Sequence, residues 1–166
     1  MAGAAFDAAL CRLGVMFGPS PVPALRGMRQ ALRPGGRLSA LVFSTPEANP
    51  CIAITMRTAR PHAGLPEAVP SAPGSLLSPG PPGLAAQAMR DAGCGDVEVP
   101  RLQAPFSLAN VDDYIAFVRT SGSPVIEVLR PLSADRQAEA WADIRRQLDR
   151  FSAAHGWVGP NELLLC

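Results

Sequence analysis

The sequence has 166 residues, with 15 basic residues that are all arginines, 14 acidic residues and a net charge of +1. The arginines are scattered along the chain, which argues against the clustered positive charge of a nucleic-acid-binding groove. No apolar run is long enough to span a membrane and no signal-peptide pattern opens the chain, so we expect one cytoplasmic domain.

The N-terminal segment predicts two parallel strands joined by a helix. Phe6 to Leu13 is almost continuously apolar, as in a parallel strand buried on both faces. Apolar residues then recur every three or four positions over about three helical turns, namely Val22, Leu25, Met28 and Leu32. Pro34-Gly35-Gly36 stops this helix, and Leu38 to Phe43 forms the second buried strand. A helix that joins two strands in this way makes them parallel.

The middle of the chain predicts a helix between irregular segments. Thr45 to Arg60 reads as a loop that leads into a short helix. His62 to Pro82 is rich in proline and glycine, which predicts a mobile surface loop. Leu84 to Ala92 is predicted as a short helix with Leu84, Ala85, Ala88 and Met89 facing inward, and Asp96 to Leu102 as a strand. Pro100 places that strand at a sheet edge.

The C-terminal part predicts mainly helices. Asn110 caps a helix to about Arg119, and Pro124 to Leu132 is a further helical segment. Ser133 caps the longest helix, which we expect to reach about Ala154. Its apolar stripe is Ala134, Ala138, Trp141, Ile144, Leu148 and Phe151. Asn161 to Cys166 is predicted as the last strand.

The four cysteines (Cys11, Cys51, Cys94 and Cys166) form no C-x-x-C pair, and the sequence holds only two histidines. This pattern predicts no metal site and favours small buried thiols in a reducing compartment.

The motifs of the first 50 residues resemble a known enzyme family. They are FDAALCRLG at residues 6–14, Met16-Phe17, Pro19-x-Pro21 and, at residues 28–38, M-R-x-x-L-R-P-G-G-R-L. Together they resemble the second half of a class I S-adenosylmethionine-dependent methyltransferase of the ubiquinone and menaquinone methyltransferase group. The resemblance is strong to Pro50 and loose thereafter. It implies an α/β fold: a partial Rossmann-like sheet, from the fourth of seven strands onward, with helices and a helical cap.

The resemblance also implies a division of the single partial domain, residues 1–166. The expected parts are a strand-helix-strand core (1–45), a proline-rich loop (46–83), a helix and strand (84–104), a helical cap (105–156) and the last strand (157–166).

The resemblance implies S-adenosylmethionine as cofactor and a small organic molecule as methyl acceptor. In open α/β sheets the ligand lies beyond the carboxyl ends of the strands. The implied cofactor-binding residues there are Cys11, Arg12, Leu13, Gly14, Met16 and Phe17. Weaker substrate candidates are Ser44, His62 and Tyr114. Methyl transfer depends largely on positioning two reactants, so no catalytic residue is assigned.

Each candidate side chain also has a structural interpretation. Arg12 could form a surface ion pair instead of contacting a carboxylate, and Cys11 could be a packed thiol. His62 could be a solvated loop residue instead of a base, and Tyr114 could simply pack the cap. His155 is expected at the end of the longest helix with no catalytic role. The stripe of Trp141 to Phe151 packs over the sheet or forms a dimer surface.

The sequence departs from the family pattern in its cofactor motifs. It contains no G-x-G-x-G segment, and the acidic residues that bind ribose and adenine in the family are not found. Gly18 and Ser20 stand where the family usually has an aromatic residue and Asp, and Cys94 where it has Phe. We therefore expect a truncated methyltransferase domain that is inactive alone. The alternative is a non-enzymatic interaction module that pairs through its first strand with a second copy or a complementing chain.

Overall fold

A computed structural model describes residues 4–67, 69–121 and 124–166. Of the predicted proline-rich loop, residue 68 lies outside the described residues. The helices are α1 (Val22–Ala31), α2 (Pro50–His62), α3 (Leu84–Asp91), α4 (Val111–Thr120), α5 (Pro124–Leu129) and α6 (Ala134–Leu148). The strands are β1 (Phe6–Arg12), β2 (Leu32–Phe43), β3 (Arg101–Gln103), β4 (Phe106–Leu108), β5 (Ser152–Ala153), β6 (Gly156–Gly159) and β7 (Glu162–Leu165). None of the helices in these ranges is long and apolar enough to cross a membrane.

The chain divides into two compact units. The first contains Met1–Ala48, Pro70–Gln103 and Glu162–Cys166, and the second contains Asn49–Val69 and Ala104–Asn161.

The first unit is built on a mixed four-stranded sheet in the order β1-β2-β7-β3. β1 and β2 are parallel, with Arg12 opposite Leu41, which confirms the predicted crossover. β7 is antiparallel to both of its neighbours, β2 and β3. β3 lies at the sheet edge, where Pro100 suggested it, although it begins only at Arg101. This mixed sheet with its helices confirms the predicted α/β class.

The prediction that the first strand is buried on both faces is wrong. The Phe6 side chain is 60% exposed and that of Leu10 is 81% exposed. β1 is an edge strand that pairs only with β2 among the described residues. Its apolar composition therefore does not reflect burial within the described residues.

The turn between α1 and β2 also differs from the prediction. α1 ends at Ala31, and β2 begins directly at Leu32, before the Pro34-Gly35-Gly36 segment. The pairing register between β1 and β2 shifts there, and Gly35 takes a φ of +80° that favours glycine. The segment is thus an irregularity inside a strand and does not itself stop the helix.

The proline-rich segment of the first unit is anchored to the unit's core at several points. Leu77 is buried, and the Ser78 hydroxyl donates to the Met16 carbonyl oxygen at 3.4 Å. In α3, which follows, Ala85, Ala88 and Met89 are buried as predicted, but Leu84, the first residue of the helix, is half exposed.

The second unit packs helices around a small sheet. Its apolar core includes Ile54 of α2, Ile144 of α6 and Trp157 of β6. The predicted caps are confirmed: the Asn110 side chain accepts from the Asp113 amide at 3.0 Å, and that of Ser133 accepts from the Arg136 amide at 3.4 Å.

Three predictions for this unit are wrong, and one sheet was not predicted. The longest helix ends at Leu148, followed by a short 3-10 turn, and β4, β6 and β5 form a three-stranded antiparallel sheet that was not foreseen. His155 consequently lies in the turn between β5 and β6 instead of at a helix end. Within α6 the stripe is also displaced: Ala134 and Ala138 are exposed, whereas Ala140 and Trp141 are buried.

Candidate functional site

The carboxyl ends of β1 and β2 lie side by side in the first unit. The Leu13 amide donates to the Leu41 carbonyl oxygen at 2.8 Å, which extends the parallel pairing one residue beyond β1. Leu13 does so with a φ of +54°, a left-handed conformation that is uncommon for a residue with a β-carbon. Backbone strain of this kind is concentrated at functional sites in proteins, which makes the end of β1 a candidate functional site.

The six predicted cofactor residues follow one another through this end of the sheet but differ in accessibility. Cys11 and Leu13 are half-buried, and Arg12 and Gly14 are exposed. Phe17, the last residue of a short 3-10 turn, is 55% exposed. Met16 is fully buried in the apolar core of the unit. Leu13, Gly14 and Phe17 therefore provide accessible surface, whereas the Met16 side chain is used in packing.

Ser44 lies just after β2 and lines a cavity of about 150 Å³. The Ser44 amide donates to the Glu162 carbonyl oxygen at 3.0 Å, which holds the end of β2 against β7. The described residues that line the cavity come from the end of β2, the segment before α3, α3 itself and the two C-terminal strands: Ser44, Thr45, Gly80, Pro82, Gly83, Ala85, Ala86, Val99, Arg101 and Leu164. Ser44 is thus the predicted substrate residue that borders a cavity.

Among the described residues that line this cavity, Arg101 is the one with a charged side chain. Its Nη1 atom lies 3.6 Å from Oε1 of Glu162, whose side chain is buried. The other carboxylate oxygen of Glu162 accepts from Nε2 of Gln103 at 2.6 Å. The Arg101 side chain is 61% exposed beside this buried carboxylate.

Tyr114 belongs to the second unit and is part of its packed core. Its ring stacks on Trp157 at a centroid distance of 4.7 Å and meets Phe106 edge-on at 5.2 Å. Burial raises the pKa of the Tyr114 phenol well above its ordinary value, with a smaller contribution from Cys51. These contacts fit the structural interpretation of Tyr114.

His62 also lies in the second unit, as the last residue of α2 instead of in a loop. Its Nε2 atom is 2.7 Å from Oδ2 of Asp143 in α6, and Arg146 pairs with the other oxygen of the same carboxylate. The His62 carbonyl oxygen accepts from the Arg136 guanidinium at 2.9 Å. These contacts join the end of α2 to α6 within the unit.

Sequence reasoning missed Gly80 and Arg101. Gly80 is one of several glycines in a proline-rich stretch, and nothing in its sequence context marks a close backbone approach. Arg101 was seen only as part of a predicted edge strand. Arg101 and Gln103 are two residues apart on a strand, so their side chains are expected on the same face of the sheet. This spacing predicts the shared face but not the cavity.

Comparison with solved structures identifies the fold. A putative methyltransferase from Bacillus halodurans superposes with a TM-score of 0.52 at 13% identity, over 99% of this chain and 70% of that one. YcgJ from Bacillus subtilis gives a TM-score of 0.47 at 16% identity, and the [4+2]-cyclase SpnF gives 0.44 at 16%. The chain spans 64% of the length of YcgJ and 51% of that of SpnF. No protein-family model and no curated protein sequence matches it. The chain has a methyltransferase-type α/β fold.

Proposed function

We propose that this chain is the carboxyl-terminal part of a class I S-adenosylmethionine-dependent methyltransferase that acts on a small organic molecule. The observation that carries the proposal is the parallel pair β1–β2, whose carboxyl ends place Leu13 and Ser44 at the same edge of a methyltransferase-type sheet. In open α/β sheets that edge is where ligands bind. The sequence motifs of residues 6–38 support the same assignment.

The accessible residues at this edge fit one side of the cofactor. Leu13 and Phe17 would give a sulfonium apolar surroundings, and Gly14 is exposed and lets a ligand approach the backbone closely. When bound, S-adenosylmethionine supplies the electrophilic methyl group. The role of Leu13, Gly14 and Phe17 is then to exclude water and to orient the reacting carbon towards the acceptor.

The 166 residues alone should bind this cofactor weakly. The sequence holds no glycine-rich cofactor loop, and β1 has a neighbour on one side only among the described residues. We propose that an additional strand and loop, from the same or another polypeptide, are needed for activity.

Nuclear magnetic resonance titration of the 166-residue chain with S-adenosylmethionine tests both statements. We expect millimolar binding, with the largest amide shifts at Leu13, Gly14 and Phe17. Phe17→Ser should weaken it, whereas Phe117→Ser, which removes a similarly exposed ring in the second unit, should not. Micromolar affinity would contradict the weak-binding statement. Shifts located away from residues 11–17 would contradict the proposed cofactor site.

A second function is favoured by the exposure of β1. Among the described residues β1 is an edge strand that pairs on one side, and with the apolar side chains of Phe6 and Leu10 it is suited to pairing with another strand. On this alternative the chain is a non-enzymatic interaction subunit, or one that completes the sheet of another chain.

Sedimentation velocity over a range of concentrations tests this alternative. Self-association through β1 should be reduced by Leu10→Glu. Leu84→Glu is the matched control, because Leu84 is also exposed but lies on α3. A monomer at every concentration that also fails to capture any strand-supplying segment would exclude an interaction role for β1.

A further inference from the structure

We propose that the cavity bordered by Ser44 and Arg101 is a binding site for a compact organic acid, distinct from the cofactor site at the end of β1. The inference does not depend on methyl transfer. It depends on the size of the cavity, the distribution of its polar groups and the way in which Arg101 is held.

The size of the cavity limits its ligand. At about 150 Å³ it is far smaller than the pockets of several hundred cubic ångströms that bury drug-sized ligands or cofactors. A cavity of similar volume in another protein accommodates benzene, so a single ring or a short branched chain is the appropriate scale. A nucleoside is too large to lie wholly inside this volume.

The polarity of the lining sets the orientation of the ligand. The buried part includes Leu164 and Ala85, which provide apolar surface, while Pro82 and Gly83 are exposed at the opening. The Arg101 side chain, which is 61% exposed, also lines the cavity. A ligand with an apolar body and one carboxylate would therefore place the body inward and the carboxylate at the guanidinium.

Arg101 is suited to this contact although it already has a partner. A guanidinium has five N–H donors, and Glu162 lies near Nη1 at 3.6 Å, which leaves donors for a second carboxylate. The ionic contact with Glu162, itself held by Gln103, favours positions of the guanidinium near that carboxylate before a ligand arrives. Restraint of this kind lowers the entropy cost of binding. Because a guanidinium can engage a carboxylate through two parallel hydrogen bonds, an acid should bind better than its neutral amide.

Titration of the 166-residue chain with benzoate, and with benzamide as the neutral probe of the same shape, tests the inference without any methyl donor. We expect benzoate to shift the amide resonances of Ser44, Gly83 and Ala86 and to bind about tenfold more tightly than benzamide, as expected for a charge-assisted hydrogen bond.

Two variants and one control locate the binding. Arg101→Gln should reduce benzoate affinity about tenfold and leave benzamide unchanged, and Ala86→Leu should abolish both by filling the cavity. Arg90→Gln removes an exposed arginine of α3 that does not line the cavity and should have no effect. If Ala86→Leu does not fold, as judged by its thermal melting, Ala86→Val replaces it. Equal affinity for the acid and the amide, or equal losses in the Arg90 and Arg101 variants, would overturn the inference.

Discussion

Gly80 lies so close to Ser44 that a β-carbon on Gly80 would stand 2.2 Å from the Ser44 carbonyl oxygen. The Ser44 carbonyl carbon and the Thr45 nitrogen would also be within 3.0 Å of it. The close approach joins the proline-rich segment to the end of β2 and shapes one wall of the cavity.

Gly80→Ala should therefore destabilise the protein by about 1–3 kcal/mol, the usual cost of overpacking, because backbone must move to accept the methyl group. Urea denaturation measures the change. Gly27→Ala is the matched control: a β-carbon on Gly27, inside α1, meets no atom within 4 Å. Alanine should there raise the free energy of unfolding by about 0.5–1 kcal/mol. Effects of the same sign at the two sites would contradict the contact.

Trp157→Phe should also destabilise the protein, by about 1–3 kcal/mol. The Trp157 side chain is fully buried, and its indole N–H donates to the Leu148 carbonyl oxygen at 2.8 Å, so phenylalanine leaves that carbonyl without its donor. Trp141→Phe is the comparison, because Trp141 makes a cation–π contact with Arg119 at 5.5 Å. The free energy of unfolding should fall less in Trp141→Phe than in Trp157→Phe. Urea denaturation of both variants gives the order, and the reverse order would show that the indole hydrogen bond contributes little.

The exposed ion pair between Asp112 and Arg145 makes stability depend on pH. Hydrogen bonding to Arg145 lowers the pKa of the Asp112 carboxyl below 3.8. Because the folded-state pKa is the lower one, the stabilisation is present above pH 3.8 and is lost as the pH falls below that value. Asp112→Asn should reduce the melting temperature slightly at pH 7 and not at pH 2. Asp113→Asn, on the same helical turn, is the control. If Asp112→Asn lowers the melting temperature equally at pH 7 and pH 2, a charge effect is excluded.

Cys51 should be the least reactive thiol of the folded chain. Burial raises its pKa to about 12, and its side chain is almost inaccessible. Burial also raises the pKa of Cys166, to about 11. Maleimide labelling at pH 8 followed by peptide mass spectrometry should therefore modify Cys51 only after urea is added. Cys94, which is half-buried, serves as the internal reference. Labelling of Cys51 at the rate of Cys94 in the native protein would mean that α2 opens readily.

Local sequence signals predicted much of the fold. The caps at Asn110 and Ser133 and the buried Leu25 follow from interactions within a few residues along the chain, so periodicity and cap chemistry were sufficient. The three short strands of the second unit were missed because two to four residues are too few for an alternating pattern to stand out. Leu148 and Phe151 continue the helical spacing, which is why the helix was extended past its actual end.

The candidate site was predictable where it depends on chain order and not where it depends on tertiary contact. The position of Leu13 and Ser44 at one edge follows from two parallel strands, which the pattern already implied. The burial of Met16 and the exposure of Phe17 follow from which side of a short 3-10 turn packs on the core. The cavity wall formed by Gly80 and Arg101 depends on tertiary contact. Arg101 lies more than 50 residues from Ser44 along the chain, and no local pattern encodes a contact over that separation.

The inner position of β7 between β2 and β3 has a consequence for synthesis. The four-stranded sheet cannot close until residues 162–165 have left the ribosome, because among the described strands β3 is joined to the others only through β7. Such long-range pairing slows folding and leaves apolar strands unpaired during translation. Deletion of these few residues, or a bulky fusion placed directly after them, should therefore affect chaperone dependence and yield in the cell far more than their number suggests.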